Sequence, residues 1–249
     1  MTREAHNCTI IANSDPKIVC SQVAALLRSS MENLADEKIT IALPGGRSIL
    51  LLLDPLFEEI STMHLQIRDQ IRFFMVDERL VPIFHEDSNY RLLNEGFYSR
   101  CIEAELITSE QIFPFIYNAN EEGLGTAKYK TSLDKNGGRF THVILGVGED
   151  GHVAGLFPHH PVLQVAGPGF SCFSDSPKPP AMRMTANADL IRNADAVILL
   201  FLGEGKTDAL QSFFNPEKTT NDCPARIALD AKNVFVVTDL KDALGVALA

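Results

Sequence analysis

Two kinds of hydrophobic pattern alternate along this chain. Segments 38–43, 71–76, 140–145, 195–202 and 233–238 are short, nearly continuous apolar runs rich in β-branched residues, the pattern of strands buried on both faces. Between them, apolar positions recur at three- and four-residue spacing. Ile18, Val19, Val23, Leu26 and Leu27 follow the helix-start signal Ser14-Asp15-Pro16. Further helical stretches are predicted from about Ser48, over 88–100, over 121–134, after Gly203-Glu204-Gly205-Lys206 and in the tail. Apolar strands separated by helices predict an α/β fold: an open, mainly parallel twisted sheet with helices on both faces. Segment 159–180 breaks the pattern, carrying Pro161, Pro168, Pro177, Pro179 and Pro180 just after Pro158. It reads as a long ordered loop over one sheet edge. No repeat or charged linker divides residues 1–249, so one domain is expected.

Composition narrows the function classes. Against 22 basic side chains stand 32 acidic ones, a net charge of −10, which argues against a nucleic-acid footprint. An anionic ligand must therefore be held by local cations against the net field. Five scattered cysteines without a C-x-x-C pair predict reduced thiols. The first residues carry no apolar leader, and the longest apolar run, 196–202, is far shorter than the roughly 20 residues of a membrane span. A cytoplasmic protein without membrane contact is expected, as a monomer.

Four predicted strands end in loops of unusual composition: Pro44-Gly45-Gly46-Arg47-Ser48, Asp77-Glu78-Arg79, Gly146-Val147-Gly148-Glu149-Asp150-Gly151-His152, and Gly203-Glu204-Gly205-Lys206. Parallel strands place all four on one rim, where ligands of such sheets bind. Gly45 and Gly46 before a helix can present free N–H groups to a phosphate, with Arg47 and Ser48 as further donors. Lys206 adds a point charge, and neither loop is a Walker A. Gly146-x-Gly148-x-x-Gly151 matches a dinucleotide fingerprint, but Pro158 leaves no room for the helix that must follow. No nicotinamide or flavin is therefore expected. His152, with Asp150 two positions before it, suits a general base acting on water. His159 and His160 lack zinc spacing, so no metal is expected. Asp77 and Arg183 are further candidates, Glu78 reads as a local ion-pair partner, and Asp87-Ser88-Asn89 as a helix N-cap.

In order, these residues resemble the 6-phosphogluconolactonase family and its sugar-phosphate isomerase relatives. The resemblance rests on the Gly45-Gly46 loop, Asp77-Glu78-Arg79-x-Val81-Pro82, Asp87-Ser88-Asn89, Gly146-x-Gly148-x-Asp150-Gly151-His152-x-Ala154-x-Leu156-Phe157-Pro158 and Pro180-x-x-Arg183-x-Thr185. It implies a Rossmann-like fold of the sugar-phosphate isomerase type and hydrolysis of 6-phosphoglucono-δ-lactone without a metal or organic cofactor. It also implies His152 as the base, with phosphate contacts falling to the Gly45-Gly46 loop, Arg79, Arg183 and Lys206. Gly148 and Gly151 complete the expected substrate loops, and Asp77 is the alternative base. Two departures stand out. The family's Ser-Gly-Gly-Ser-Thr-Pro is here Pro44-Gly45-Gly46-Arg47-Ser48-Ile49, and its serine after Asp-Gly-His-x-Ala is here Gly155.

Two rivals are weighed. An amino-sugar-phosphate deaminase would carry Asn-Glu-Pro where this chain has Leu156-Phe157-Pro158, so this chain lacks there a carboxylate for ring opening. A non-catalytic sugar-phosphate sensor would need a DNA-binding module, for which the sequence leaves only about 37 residues before the first expected core strand.

Overall fold

The computed structural model describes residues 2–5, 8–34 and 37–247. Met1, His6 and Asn7, within the segment read as lacking a leader, lie outside the described residues. The chain runs through β1 (Thr2–Ala5), β2 (Cys8–Ala12), α1 (Pro16–Glu32), β3 (Ile39–Leu43) and α2 (Arg47–Ser61). Then come α3 (Leu65–Arg68), β4 (Ile71–Met75), β5 (Asp77–Arg79), α4 (Asn89–Leu93), α5 (Ser99–Glu103), β6 (Ile112–Phe113) and α6 (Thr126–Asp134). The remainder is β7 (His142–Gly146), β8 (Phe170–Phe173), β9 (Arg183–Ala186), α7 (Ala188–Arg192), β10 (Ala196–Phe201), α8 (Thr207–Phe214), β11 (Val234–Thr238) and α9 (Lys241–Ala247).

Eight strands form one sheet in the order β1-β2-β11-β10-β7-β3-β4-β6. All neighbours from β2 to β6 run parallel, and β1 adds antiparallel to β2. Every residue of β3 and β10 is buried, as expected where both sheet faces are covered. α1 begins where Asp15 accepts from the Lys17 N–H at 2.8 Å, and it buries Val19, Val23, Leu27 and Met31 at helical spacing. No described helix is long and apolar enough to cross a membrane.

The sheet order sets the site. From β3 the chain moves outward to β4 and β6, then returns to place β7 on the other side of β3 before continuing to β10 and β11. The β3–β7 boundary is therefore a topological switch point, where a crevice opens beyond the carboxyl ends of the strands.

Five expectations are corrected. Segment 159–180 is more than a loop: it contains β8, which pairs antiparallel with β9 in a second sheet, β5-β9-β8. Asp77-Glu78-Arg79 is itself a strand of that sheet. Strands of three or four residues, with polar Ser171 in β8, are too short to show a period. The main sheet begins with β1 and β2, not with 38–43, so the chain before β3 already contains two sheet strands and a helix. The 88–100 helix is interrupted by a π-turn over Asn94–Tyr98, whose extra residue lets adjacent Phe97 and Tyr98 both be fully buried. The 121–134 helix starts only at Thr126, because Gly123, Leu124 and Gly125 have positive φ.

Candidate active site

At the β3–β7 boundary lies a cavity of about 170 Å³, lined from the loops after β3, β7 and β10, from β5 and α4, and from β9. The β3 loop supplies Pro44 to Ser48. Gly46 has φ +87°, a backbone that a side chain rarely adopts, and this turns the chain directly into α2. The helix has no side-chain cap, so its first N–H groups are free to meet an anion.

β5 and α4 form a second wall. Glu78 is buried and accepts from the N–H groups of Arg79 (2.7 Å), Asn89 (2.7 Å) and Tyr90 (2.8 Å) and from the Ser88 hydroxyl (3.1 Å). It caps the N-terminus of α4 and is not the ion-pair partner the sequence suggested. Ser88 is the N-cap expected from sequence, accepting from the Arg91 N–H at 3.2 Å. Asn89, one residue further, points elsewhere: its Nδ2 donates to the Asp77 carbonyl (3.0 Å) and carboxylate (3.2 Å). Burial pushes the Asp77 carboxyl up, opposed by the charges of Arg79, Arg183 and His152.

The β7 loop carries the carboxylate–imidazole pair. His152 Nδ1 lies 2.5 Å from Asp150 Oδ1, and Lys178 Nζ reaches the same oxygen at 3.1 Å and His152 Nδ1 at 3.3 Å. A carboxylate only accepts, so Nδ1 carries the proton and donates it to Asp150, the lone pair is left on Nε2, and the Lys178 ammonium donates to the same Asp150 oxygen. Burial acts to raise the Asp150 pKa, but hydrogen bonds and charge from His152 and Lys178 outweigh it. They hold the carboxyl well below its usual range. The imidazole also leans on Phe157, ring centroids 4.6 Å apart. A Cβ on Gly148 would sit 1.9 Å from His152 Nδ1, so this glycine makes room for the pair.

Arg183 is buried, not a surface arginine. Its Nε donates to the Pro180 carbonyl (3.1 Å) and its Nη2 to those of Lys178 (3.3 Å) and Pro179 (3.0 Å). It thus pins the proline-rich segment that delivers Lys178. Arg79 is partly committed too, with Nη1 on the Asp87 carbonyl at 2.5 Å. Lys206, whose pKa burial lowers, faces both this cavity and an adjoining groove that shares Arg47 and Ser48.

Of the sequence candidates, Gly45, Gly46, Arg47, Ser48, Asp77, Arg79, Gly148, His152, Arg183 and Lys206 line the cavity. Asp150 and Gly151 do not. Asp150 stands behind the imidazole. Gly151, at φ +80°, makes the turn against Cys223, and the Gly148 N–H is spent on the His152 carbonyl at 2.8 Å. No helix follows Gly151, so the dinucleotide fingerprint has no counterpart in the fold. His159 and His160 turn to Asn221 (2.8 Å) and Asp175 (3.1 Å), away from His152. Among the described residues, no three His, Cys, Asp or Glu side chains group as a metal requires. Asn89 and Lys178 were not among the sequence candidates. The only hint of Asn89 was its place in Asp87-Ser88-Asn89, where a capping role was sufficient explanation. Lys178 looked like one more residue of a proline-rich loop.

A doubly covered parallel sheet, with cationic side chains and a carboxylate–imidazole pair around a cavity at its switch point, defines an α/β protein of the open-sheet class. The family of glucosamine-6-phosphate isomerases and 6-phosphogluconolactonase matches residues 14–237, and the chain belongs to it. A 6-phosphogluconolactonase of Borreliella burgdorferi is 34% identical over 206 residues, covering 83% of this chain and 86% of that protein. Two chloroplastic relatives from Oryza sativa are 36% identical over 162 residues, and the chain spans about half of their length (48%). Among solved structures, a 6-phosphogluconolactonase of Thermotoga maritima superposes with a TM-score of 0.75 at 25% identity, over 92% of this chain and 98% of that one.

Proposed function

We propose that this protein is a lactonase that hydrolyses 6-phosphoglucono-δ-lactone to 6-phosphogluconate, with His152 as the general base. The observation that carries the mechanism is the Asp150–His152 contact in a cavity that also holds the uncapped N-terminus of α2. A lactone carbonyl is an activated ester. A base on water and one oxyanion donor suffice for its hydrolysis, with no covalent intermediate. His152 Nε2 takes a proton from water as the oxygen attacks the carbonyl carbon. Asp150 orients the ring and stabilises the imidazolium that forms. The tetrahedral intermediate then collapses with cleavage of the ring C–O bond, and the imidazolium returns its proton to the departing oxygen.

With the Gly148 N–H already bonded, the uncapped Gly45–Ser48 turn supplies backbone donors for oxyanion or phosphate. Arg47, Ser48 and Lys206 hold the phosphate in this reading, and its binding energy positions the ring near the water. Asp77, deeply buried and tied to Asn89, is the fallback base. The Leu156-Phe157-Pro158 stretch, where a deaminase would place its acid, contributes a buried Leu156 and the Phe157 ring under His152.

The test is acid release from freshly generated lactone, corrected for spontaneous opening. His152→Ala is expected to lower kcat about 10²–10⁴-fold while 6-phosphogluconate binding persists. Undiminished turnover in that variant would move the base to Asp77. No acceleration by the wild type, with binding retained, would favour the sensor reading.

A further inference from the structure

Asn89 is 2% exposed and lines the cavity, yet its Oδ1 has no hydrogen-bond partner. The orientation of this amide is set by its surroundings. Nδ2 meets two acceptors, the carbonyl and the carboxylate of Asp77. Flipping the amide would turn Oδ1 against both. The carbonyl oxygen therefore faces the Gly45 side, where a Cβ on Gly45 would fall 1.8 Å from it. Position 45 must be glycine for Asn89 to reach the cavity. A buried carbonyl oxygen left without a donor is costly, and native structures retain one where function uses it.

We propose that Asn89 is a specificity-determining residue, whose Oδ1 accepts a hydrogen bond from a hydroxyl of the substrate. The inference rests on the sugar-phosphate reading above and names one of its contacts. The chemistry discriminates between the two ends of such a substrate. A phosphate dianion offers acceptors only, and would meet another acceptor in Asn89 Oδ1 and a carboxylate in Asp77. A polyol offers donors. The lactone carries free hydroxyls at C2, C3 and C4, and one of them supplies the missing proton. Because the Asn89 amide is held by Asp77 before substrate arrives, the orientation of the acceptor is preset, and a ligand lacking that hydroxyl leaves it buried and unpaired.

The test is a cycle between protein and ligand. kcat/KM is measured for the parent lactone and its 2-, 3- and 4-deoxy forms with wild type, Asn89→Leu and Asn89→Ala. Calorimetric affinities for the corresponding 6-phosphogluconates are measured alongside. In the wild type one deoxy form is expected to lose about 10–100-fold against the parent, and that ratio should collapse to within a few-fold in the variants. The two variants guard against one failing to fold, and the wild-type comparison needs neither. Equal handling of all deoxy forms by the wild type would overturn the proposal, as would discrimination that survives both substitutions. If the wild type fails to accelerate lactone opening, the lactonase reading falls. The binding cycle then still decides the role of Asn89.

Discussion

A methyl group at position 148 is the smallest change that reaches the base. Its carbon would meet His152 Nδ1 at 1.9 Å, Cε1 at 2.0 Å and Asp150 Oδ1 at 2.7 Å, so the imidazole must swing away from its carboxylate. The φ of Gly148 is not among the positive values, and alanine is sterically allowed by the backbone itself. Gly148→Ala is therefore expected to lower kcat on the order of 10²-fold or more with secondary structure intact, which circular dichroism and steady-state kinetics would check together. Gly155 is a contrasting case. A Cβ there would press on Thr185 Cβ at 2.8 Å and the Phe173 ring at 3.3 Å, and its N–H already donates to Thr185 Oγ1 at 3.0 Å. The space that the family's serine would need is filled by these neighbours, which accounts for the departure seen in sequence.

At the scale of elements, a single buried carboxylate organises one wall of the cavity. Glu78 on β5 binds the first N–H groups of α4, and α4 opens with Asn89. Burial pushes the Glu78 carboxyl up, while hydrogen bonds from the Asn89, Tyr90 and Arg79 N–H groups pull it down. Glu78→Gln replaces one acceptor oxygen by an amide that donates toward donors. It is expected to cost about 1–3 kcal/mol of stability, read from chemical denaturation. KM should rise more than kcat falls, because Asn89 loses its anchor while His152 keeps its own. The sequence displayed part of this arrangement. Ser88 was legible as a cap because capping is local, three residues from its Arg91 donor. Glu78 lies 11 residues from Asn89, and nothing in residue type distinguishes a carboxylate that caps from one that pairs with a neighbouring arginine. Likewise β5 was missed because its pairing joins residues about a hundred positions apart, Asp77 with Thr185, and β8 and β9, though they pair locally, because four-residue strands are too short to show a period.

On the scale of the molecule, His142 joins the sheet to a covering helix. It lies on β7, with Nδ1 2.9 Å from Thr141 Oγ1 and Nε2 2.8 Å from Ser30 Oγ of α1. Burial lowers its pKa to about 4, against an ordinary 6.5. Below pH 6.5 the unfolded chain takes up this proton and the folded one does not, so stability falls with pH until about pH 4, where the folded state also protonates. The difference amounts to about 3 kcal/mol over that window. His142→Gln is expected to flatten the decline of unfolding free energy between pH 6.5 and 4, measured by denaturant titration at several pH values. An unchanged slope would place the acid sensitivity elsewhere.

The sequence by itself determined the alternation of strand and helix, the mainly parallel sheet, the segments after the strands that share one rim, and the pairing of Asp150 with His152. Each follows from periodicity, turn chemistry or a spacing of a few residues, which local physics decides before the chain is packed. Tertiary structure alone decided that Arg183 pins a loop, that Lys178 shares Asp150 with the base, that the Gly148 N–H is already used, and that Asn89 keeps a buried, unpaired oxygen beside Gly45 in the cavity wall. Those outcomes depend on which polar groups meet across long sequence separations, and on which of them packing leaves without a partner.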